Sequence, residues 1–156
     1  MFLNWMMMLD LSAPLREQGE LAMERPYSVL LADGHPGVRQ GIKRILEGMS
    51  GLQVVGEAGN GAQLLDILNR NVPDMVIVDI SMPGLRDLEA IRKIKENGAT
   101  KVLFLSMYEH QEYLDYALNS GAEGFVIKQN VDLELSSAIE KIRCGKTFIS
   151  PFCPGR

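Results

Sequence analysis

Cysteine and basic charge are both scarce in this chain. Its 156 residues include two cysteines, Cys144 and Cys153, whose spacing indicates neither a metal site nor a disulfide framework. We therefore expect ordinary reduced thiols and a cytoplasmic location. The formal net charge of −4 gives no overall basic field, so we expect no nucleic acid to bind through this chain.

Long apolar runs and paired histidines are missing as well. The apolar segment 1–11 is far shorter than the roughly 20 residues that a membrane helix needs, and it has no basic leader or small-residue cleavage pattern, so we expect no membrane association. His35 and His110 have no partners at a spacing that indicates metal binding or base catalysis. We interpret both as surface or capping residues.

What the sequence does contain is a regular alternation of short apolar runs and helical patterns from Tyr27 onward. The runs predict five strands, at residues 27–32, 52–58, 75–80, 101–106 and 124–128. Helical patterns follow each strand, and some carry clear start signals, such as Pro36 in a first turn and the capping-box pair Asn60 and Gln63. Five such units with right-handed crossovers predict an α/β protein: a flavodoxin-like, doubly wound (βα)5 three-layer sandwich with a parallel five-stranded sheet of order 2-1-3-4-5.

Four polar residues stand at the ends of these strands: Asp33, Asp79, Ser106 and Lys128. Taken singly, Asp33 and Ser106 are explained by capping, and Lys128 by a long side chain that reaches water. Asp79 is harder to explain, since a carboxylate inside an apolar strand is costly unless it is paired or metal-bound. Because the C-terminal ends of parallel strands meet at one edge of the sheet, we expect all four side chains to form one phosphoryl site.

Charge suggests a division of roles within this site. A carboxylate can attack phosphorus and give an acyl phosphate when the negative charges are screened. Mg²⁺ provides such screening with oxygen ligands, for which Asp33, Asp79 and a backbone carbonyl near Ser81 are the candidates.

The remaining two polar groups would contact the phosphoryl oxygens. Lys128 would pair with one of them as a point charge, and the Ser106 hydroxyl would hydrogen-bond another. A Ser106 drawn inward would leave space for Phe125, so the two residues are candidates for a conformational switch.

Ordered motifs at five strand ends resemble one protein family. They are LLADGHPGVRQGI, VVGEAGNG, PDMVIVDISMPGL, VLFLSM and GAEGFVIK, and they are similar to the receiver domain of bacterial two-component response regulators, within the NarL/FixJ (LuxR-type) subfamily. The resemblance spans about residues 27–151. It implies that Asp79 is the phosphoacceptor for a sensor histidine kinase, that Lys128 contacts the phosphate, that Ser106 and Phe125 form the switch, and that Asp33 belongs to the acidic pocket. It also implies a signalling protein rather than an enzyme.

Departures from the family pattern bear on the metal. The family carries two adjacent acidic residues after the first strand, but here the second position is Gly34. We therefore expect Mg²⁺ binding to be weak. Arg86 and Asp87 also replace the usual residues after the Met-Pro turn. The alternative interpretation is a degenerate receiver that acts as a protein-interaction module without phosphorylation.

The ends of the chain complete the predicted organisation. Residues 1–26 are interpreted as an N-terminal extension that we expect to be flexible, residues 27–151 as the receiver domain, and residues 152–156 as a C-terminal tail that begins a truncated linker. Members of the subfamily continue into a helix-turn-helix domain, so we expect the receiver part of a transcriptional response regulator, or else a stand-alone receiver. A homodimer would be typical of the family.

Two enzyme or ligand-binding alternatives fit less well. A phosphatase with an aspartyl nucleophile at Asp79 needs a second acid two residues later, where Ser81 stands. A nucleotide- or flavin-binding protein is suggested by Gly59-Asn60-Gly61, but Leu64 occupies the place of the third glycine.

Overall fold

The computed structural model describes residues 25–85 and 89–151, with the backbone alone for Glu89. Almost all of the predicted N-terminal extension, the tail 152–156, and Arg86 with Asp87 therefore lie outside the described residues. Within the described part of the chain, no helix is both long enough and apolar enough to cross a bilayer.

Strands and helices alternate along the described residues. The strands are β1 (Tyr27–Ala32), β2 (Leu52–Ala58), β3 (Met75–Asp79), β4 (Lys101–Ser106), β5 (Gly124–Ile127) and β6 (Phe148–Ile149). The helices are α1 (Pro36–Glu47), α2 (Gly61–Arg70), α3 (Glu89–Glu96), α4 (Gln111–Asn119) and α5 (Val131–Arg143), with one 3₁₀ turn at Lys128–Asn130. Most boundaries fall within one or two residues of the sequence prediction, as expected where an apolar run sets the strand.

All strand pairs are parallel, and the sheet order is β2-β1-β3-β4-β5-β6. The predicted order 2-1-3-4-5 is confirmed. The predicted number of strands needs one correction, because β6 extends the sheet beyond β5 by pairing Phe148 with Gly124 and Ile149 with Phe125. A strand of two residues is too short to produce an alternating or continuous apolar pattern, so β6 could not be predicted from the sequence.

The sheet lies between two layers of helices, as the sandwich prediction requires. Buried side chains of α2, α3 and α4 cover one face of the sheet, and they include Leu64, Leu68, Ile91, Ile94, Leu114 and Ala117. Buried side chains of α1 and α5 cover the other face: Ile42, Leu46, Leu135, Ala138, Ile139 and Ile142. All five residues of β3 are buried, because this strand is central in the sheet and is covered on both faces.

Local signals explain how the helices begin. Pro36 is the first residue of α1, where its missing N–H costs nothing. Asn60 caps α2, since its side chain accepts a hydrogen bond from the Gln63 N–H at 2.9 Å. The Gln63 side-chain oxygen in turn accepts a hydrogen bond from the Gly59 N–H at 2.7 Å. In a capping box the donor would be the N–H of the N-cap residue, which is one residue later.

Candidate functional site

Three strand ends bring one cation and two anions together at the C-terminal edge of the sheet. Asp33 follows β1, Asp79 ends β3, and Lys128 follows β5, and all three side chains are buried. The Lys128 Nζ lies 2.5 Å from Asp33 Oδ2 and 3.1 Å from Asp79 Oδ2. Neither Lys128 Nζ nor Asp33 Oδ2 has a partner at hydrogen-bond angles, so these contacts are ion pairs formed by proximity.

Each carboxylate has its other oxygen fixed by the loop that follows its strand. Asp79 Oδ1 accepts hydrogen bonds from the Ser81 N–H at 3.0 Å and from the Ser81 hydroxyl at 2.8 Å. Asp33 Oδ1 accepts one from the His35 N–H at 2.8 Å. Such short-range bonds from the residue two positions later are common for aspartate in turns. They orient both carboxylates so that their Oδ2 atoms face the same ammonium group.

The segment at Asp33 is also held from helix α1. The Arg39 guanidinium donates to the Asp33 backbone carbonyl at 2.7 Å and lies 3.3 Å from Glu57 Oε1. Lys43 lies 2.9 Å from the other Glu57 oxygen. The hydrogen bond from Lys43 holds the pKa of the Glu57 carboxyl below its usual value. This ionic cluster therefore ties α1 and β2 to the turn after β1.

Ser106 ends β4 and is buried, but its hydroxyl has local partners. It donates to the Tyr108 carbonyl at 2.8 Å and accepts from the Tyr108 N–H at 3.0 Å. In the parallel register Ser106 is paired with Ile127, one residue before Lys128. Of the four side chains predicted to converge, three are therefore in direct contact, and Ser106 stands on the neighbouring strand with its hydroxyl turned to its own loop.

Phe125 lies on β5, beside Phe104 in the sheet register, and is fully buried in the core layer under α2, α3 and α4. Its backbone carbonyl accepts a hydrogen bond from the Ser150 N–H at 2.8 Å. The predicted switch residue is thus connected to the chain that follows β6.

One contact and one residue of the site were not predicted from the sequence: the side-chain contact of Ser81, and His35. The Ser81 side chain, predicted only through its backbone carbonyl, hydrogen-bonds the Asp79 carboxylate. His35 is exposed, as predicted, and stands at the N-cap position of α1, but its side chain makes no cap bond. Its Nδ1 lies 3.4 Å from Asp33 Oδ1. The spacing of Asp33 and His35 could have predicted this contact. An aspartate often accepts a hydrogen bond from the N–H two residues later and so brings that residue beside its carboxylate.

The carboxylates and the imidazole of this site can bind a cation, although the residue after Asp33 contributes no side-chain ligand. Ligand atoms of Asp33, His35 and Asp79 lie within 4.8 Å of one another. Gly34 supplies no side-chain oxygen, and a Cβ at that position would lie 3.3 Å from Pro83 Cδ and 3.5 Å from the Gly59 carbonyl oxygen. The site thus combines buried acidic oxygens and one ammonium group, a set that can bind a small anion together with a cation.

Comparison with known proteins identifies the family of this chain. The response regulator receiver domain family matches residues 29–140. The chain belongs to this family. Receivers of this family accept a phosphoryl group and bind Mg²⁺ at an acidic pocket.

The similar curated proteins are LuxR-family regulators. The chain is 30% identical over 131 residues to the nitrate/nitrite response regulator protein NarL of Escherichia coli, covering 83% of this chain and 61% of that protein. It is 38% identical over 125 residues to the oxygen regulatory protein NreC of Staphylococcus carnosus, covering 79% of this chain and 58% of that protein. The chain therefore spans about three fifths of the length of these relatives.

Solved receiver structures match the fold closely. A LuxR-family response regulator from Aurantimonas superposes with a TM-score of 0.73 at 33% identity, covering 81% of this chain and 91% of that one. The isolated receiver domain of RcsB from Salmonella enterica, solved in the presence of a phosphomimetic, gives 0.73 at 30% identity, covering 81% and 94%. The predicted receiver fold and LuxR-type subfamily are both confirmed.

Proposed function

We propose that this receiver is phosphorylated on Asp79 by a sensor histidine kinase and that Ser106 and Phe125 transmit the change. The observation that carries the proposal is the buried contact of Lys128 with both Asp33 and Asp79. A nucleophilic carboxylate needs a neighbouring cation, and Lys128, 3.1 Å from Asp79 Oδ2, is near enough to contact an incoming phosphoryl group.

The chemistry follows from the positions of the atoms. An oxygen of Asp79 attacks phosphorus, the bond from phosphorus to the donor's histidine nitrogen breaks, and the imidazole leaves with its electron pair. Ser81 holds Asp79 Oδ1 through two hydrogen bonds and so fixes the carboxylate plane. Lys128 then pairs with the transferred phosphoryl group. Asp33 and Asp79 would hold a divalent cation, which supplies charge neutralisation between the carboxylates and the phosphoryl oxygens.

The switch depends on an exchange of hydrogen-bond partners. The Ser106 hydroxyl is bound to the Tyr108 backbone, so a phosphoryl oxygen would have to replace those contacts. Moving Ser106 towards the phosphoryl group would release the Tyr108 segment and open space beside β5, where Phe125 lies. This proposal predicts that the loop from Met107 to His110 changes when Asp79 is phosphorylated.

Phosphorylation is tested directly by intact mass. The protein is incubated with a small-molecule phosphodonor and Mg²⁺, and we expect the gain of one phosphoryl group. Asp79→Asn should abolish the gain, whereas the matched control Asp66→Asn, which changes an exposed carboxylate on α2, should retain it. Absence of any gain at every Mg²⁺ concentration would contradict the proposal.

The degenerate receiver remains a second candidate, because Gly34 removes one acidic ligand and Lys128 already pairs with both remaining carboxylates. In that case Gly34→Asp should raise Mg²⁺ affinity strongly and make phosphorylation possible. The side chain has to displace Pro83 slightly, given the 3.3 Å contact at Cβ. If the wild type binds Mg²⁺ about as tightly as this variant, the degenerate interpretation fails.

Partners and output are proposed from the relatives. One similar protein is named transcriptional regulatory protein MctR, and another, RcsB, has a structure in complex with DNA. Both of these proteins are longer than this chain. We propose that a transcription regulator containing this receiver acts in the cytoplasm, that nucleic acid binds elsewhere than on this chain, and that a homodimer forms on activation. Measurement of the molecular mass in solution before and after phosphorylation tests the dimer. A lack of hydrolysis of a generic phosphate ester would support a signalling function over an enzymatic one.

A further inference from the structure

The acidic pocket lacks the family's second acidic residue, whose place is taken by Gly34, and has the nitrogen donor of His35 next to it. Within residues 25–85 and 89–151, Asp33, His35 and Asp79 are the potential metal ligands that converge, with donor atoms within 4.8 Å of one another. A second observation also indicates a ligand: Asp33 Oδ2 is fully buried and lacks a hydrogen-bond partner, although it faces the Lys128 ammonium group.

Gly34 limits the oxygen donors on the β1 side. Asp33 is followed by a residue without a side chain, so the second side-chain donor on this loop is His35. The space at Gly34 is also restricted, since a Cβ would meet Pro83 Cδ at 3.3 Å and the Gly59 carbonyl oxygen at 3.5 Å. The loop therefore provides one carboxylate and one imidazole.

The backbone brings the imidazole to the carboxylate. The His35 N–H donates to Asp33 Oδ1 at 2.8 Å, and the ring Nδ1 lies 3.4 Å from the same oxygen. Ligands at right angles on one ion with bonds of roughly 2.1 Å lie about 3 Å apart, close to that separation. The side chain of His35 is 68% exposed, so its ring can rotate onto an ion without disturbing the core.

The donor type decides which cation fits. Mg²⁺ takes oxygen ligands in a near-ideal octahedron, whereas imidazole suits transition-metal ions such as Ni²⁺ and Zn²⁺. We propose that this pocket binds a first-row transition-metal ion in preference to Mg²⁺, through Asp33, Asp79 and the imidazole of His35. The inference rests on the proposed function only where it assigns this pocket to phosphoryl transfer. Metal binding itself is measured without that reaction.

The test uses the untagged full chain with Co²⁺ and Mg²⁺ as probes, by calorimetry and, for Co²⁺, by visible absorption. We expect His35→Gln to weaken Co²⁺ binding by at least about tenfold and to shift the Co²⁺ bands, with less than about a twofold effect on Mg²⁺. His110→Gln, which changes the chain's other histidine at an exposed N-cap position, is the matched control and should behave as the wild type.

Two results would overturn the inference: equal Co²⁺ affinity and spectra in the wild type and His35→Gln, or tighter binding of Mg²⁺ than of Co²⁺ by the wild type. The same samples, treated with a small-molecule phosphodonor, separate this inference from the proposed function. Binding of Co²⁺ through His35 without phosphorylation under either metal contradicts only the proposed function. Phosphorylation with Mg²⁺ and no effect of His35→Gln on Co²⁺ contradicts only the metal inference.

Discussion

At the residue scale, Lys128 is the group whose loss the site can least tolerate. It is buried and contacts two carboxylates that are buried themselves, so its removal leaves two like charges without a counterion. We expect Lys128→Met to lower the free energy of unfolding by about 3–5 kcal/mol, measured by urea denaturation. The exposed Lys146→Met is the matched control and should change little.

A double variant separates charge from packing in this prediction. Adding Asp33→Asn to Lys128→Met removes one of the two repelling carboxylates, and we expect it to recover part of the lost stability. If instead the losses of unfolding free energy in Lys128→Met and in Asp33→Asn simply add up in the double variant, the two residues are not coupled. That result would contradict the electrostatic account.

Tyr27 gives a second prediction at this scale. Burial, together with the nearby Asp74 carboxylate, raises the pKa of the Tyr27 hydroxyl from 10.0 to about 12. Since the unfolded tyrosine ionises first, the stability associated with the protonated Tyr27 is complete below pH 10 and is lost as the pH rises through about 12. The difference between the ultraviolet titrations of the wild type and Tyr27→Phe should have its midpoint near 12, and a midpoint near 10 would contradict this environment.

The sequence predicts the positions of the candidate functional residues better than it predicts their contacts. Asp33, Asp79 and Lys128 could be placed at one edge because apolar runs mark strand ends, and parallel strands end together. The contacts of Ser81 with Asp79 and of Ser106 with Tyr108 depend on side-chain torsions in tight turns. Hydrophobic periodicity carries no information about those torsions, so they could not be predicted.

At the scale of elements, the first residue of α2 packs directly against the loop after β3. The Gly61 N–H donates to the Pro83 carbonyl at 2.8 Å, and a Cβ on Gly61 would lie 2.5 Å from the Gly84 carbonyl oxygen. This is a contact between backbones, so a side chain at Gly61 must push the loop that follows Asp79 and Ser81.

Substitution of this glycine tests the packing. We expect Gly61→Ala to lower stability by about 1–3 kcal/mol in urea unfolding, through overpacking. Gly41 lies within α1 and a Cβ there meets nothing within 4 Å, so Gly41→Ala should stabilise by about 0.5–1 kcal/mol. Equal effects of the two substitutions would show that the contact does not exist.

The short strand β6 is fixed by a buried polar pair. The Ser150 hydroxyl donates to the Glu134 carboxylate at 2.7 Å, and both residues are buried. We expect Ser150→Ala to lower the free energy of unfolding by about 1–3 kcal/mol, because the carboxylate loses its donor. The exposed Ser137→Ala on α5 is the matched control, and an equally small effect of both substitutions in denaturation would contradict this account.

At the scale of the whole molecule, the predicted sandwich and the order of its first five strands are confirmed because each strand and helix carries its own pattern. The sixth strand is the exception. Phe148 and Ile149 form it by pairing with β5 across the sheet, which is a tertiary contact rather than a local preference. In the site, the fold brings three of the four predicted side chains into contact. The fourth, Ser106, has its hydroxyl turned towards the loop after β4 by its hydrogen bonds to Tyr108.

The fold also explains why the pocket lies where it does. The order of strands makes β1, β3 and β4 neighbours and puts β5 beside β4, so that groups from separate parts of the chain meet at one edge of the sheet. Charge balance then depends on Lys128, which reaches from the end of β5 to the carboxylates that follow β1 and end β3.

The measurement that tests the central claim most directly locates the phosphoryl group on the chain. The protein is treated with a small-molecule phosphodonor, the acyl phosphate is reduced with borohydride, and the modified aspartate is identified by peptide mass mapping. We predict reduction at Asp79 and at no other carboxylate, with the signal absent in Lys128→Met. Labelling of Asp33 or of a surface carboxylate in place of Asp79 would contradict the account.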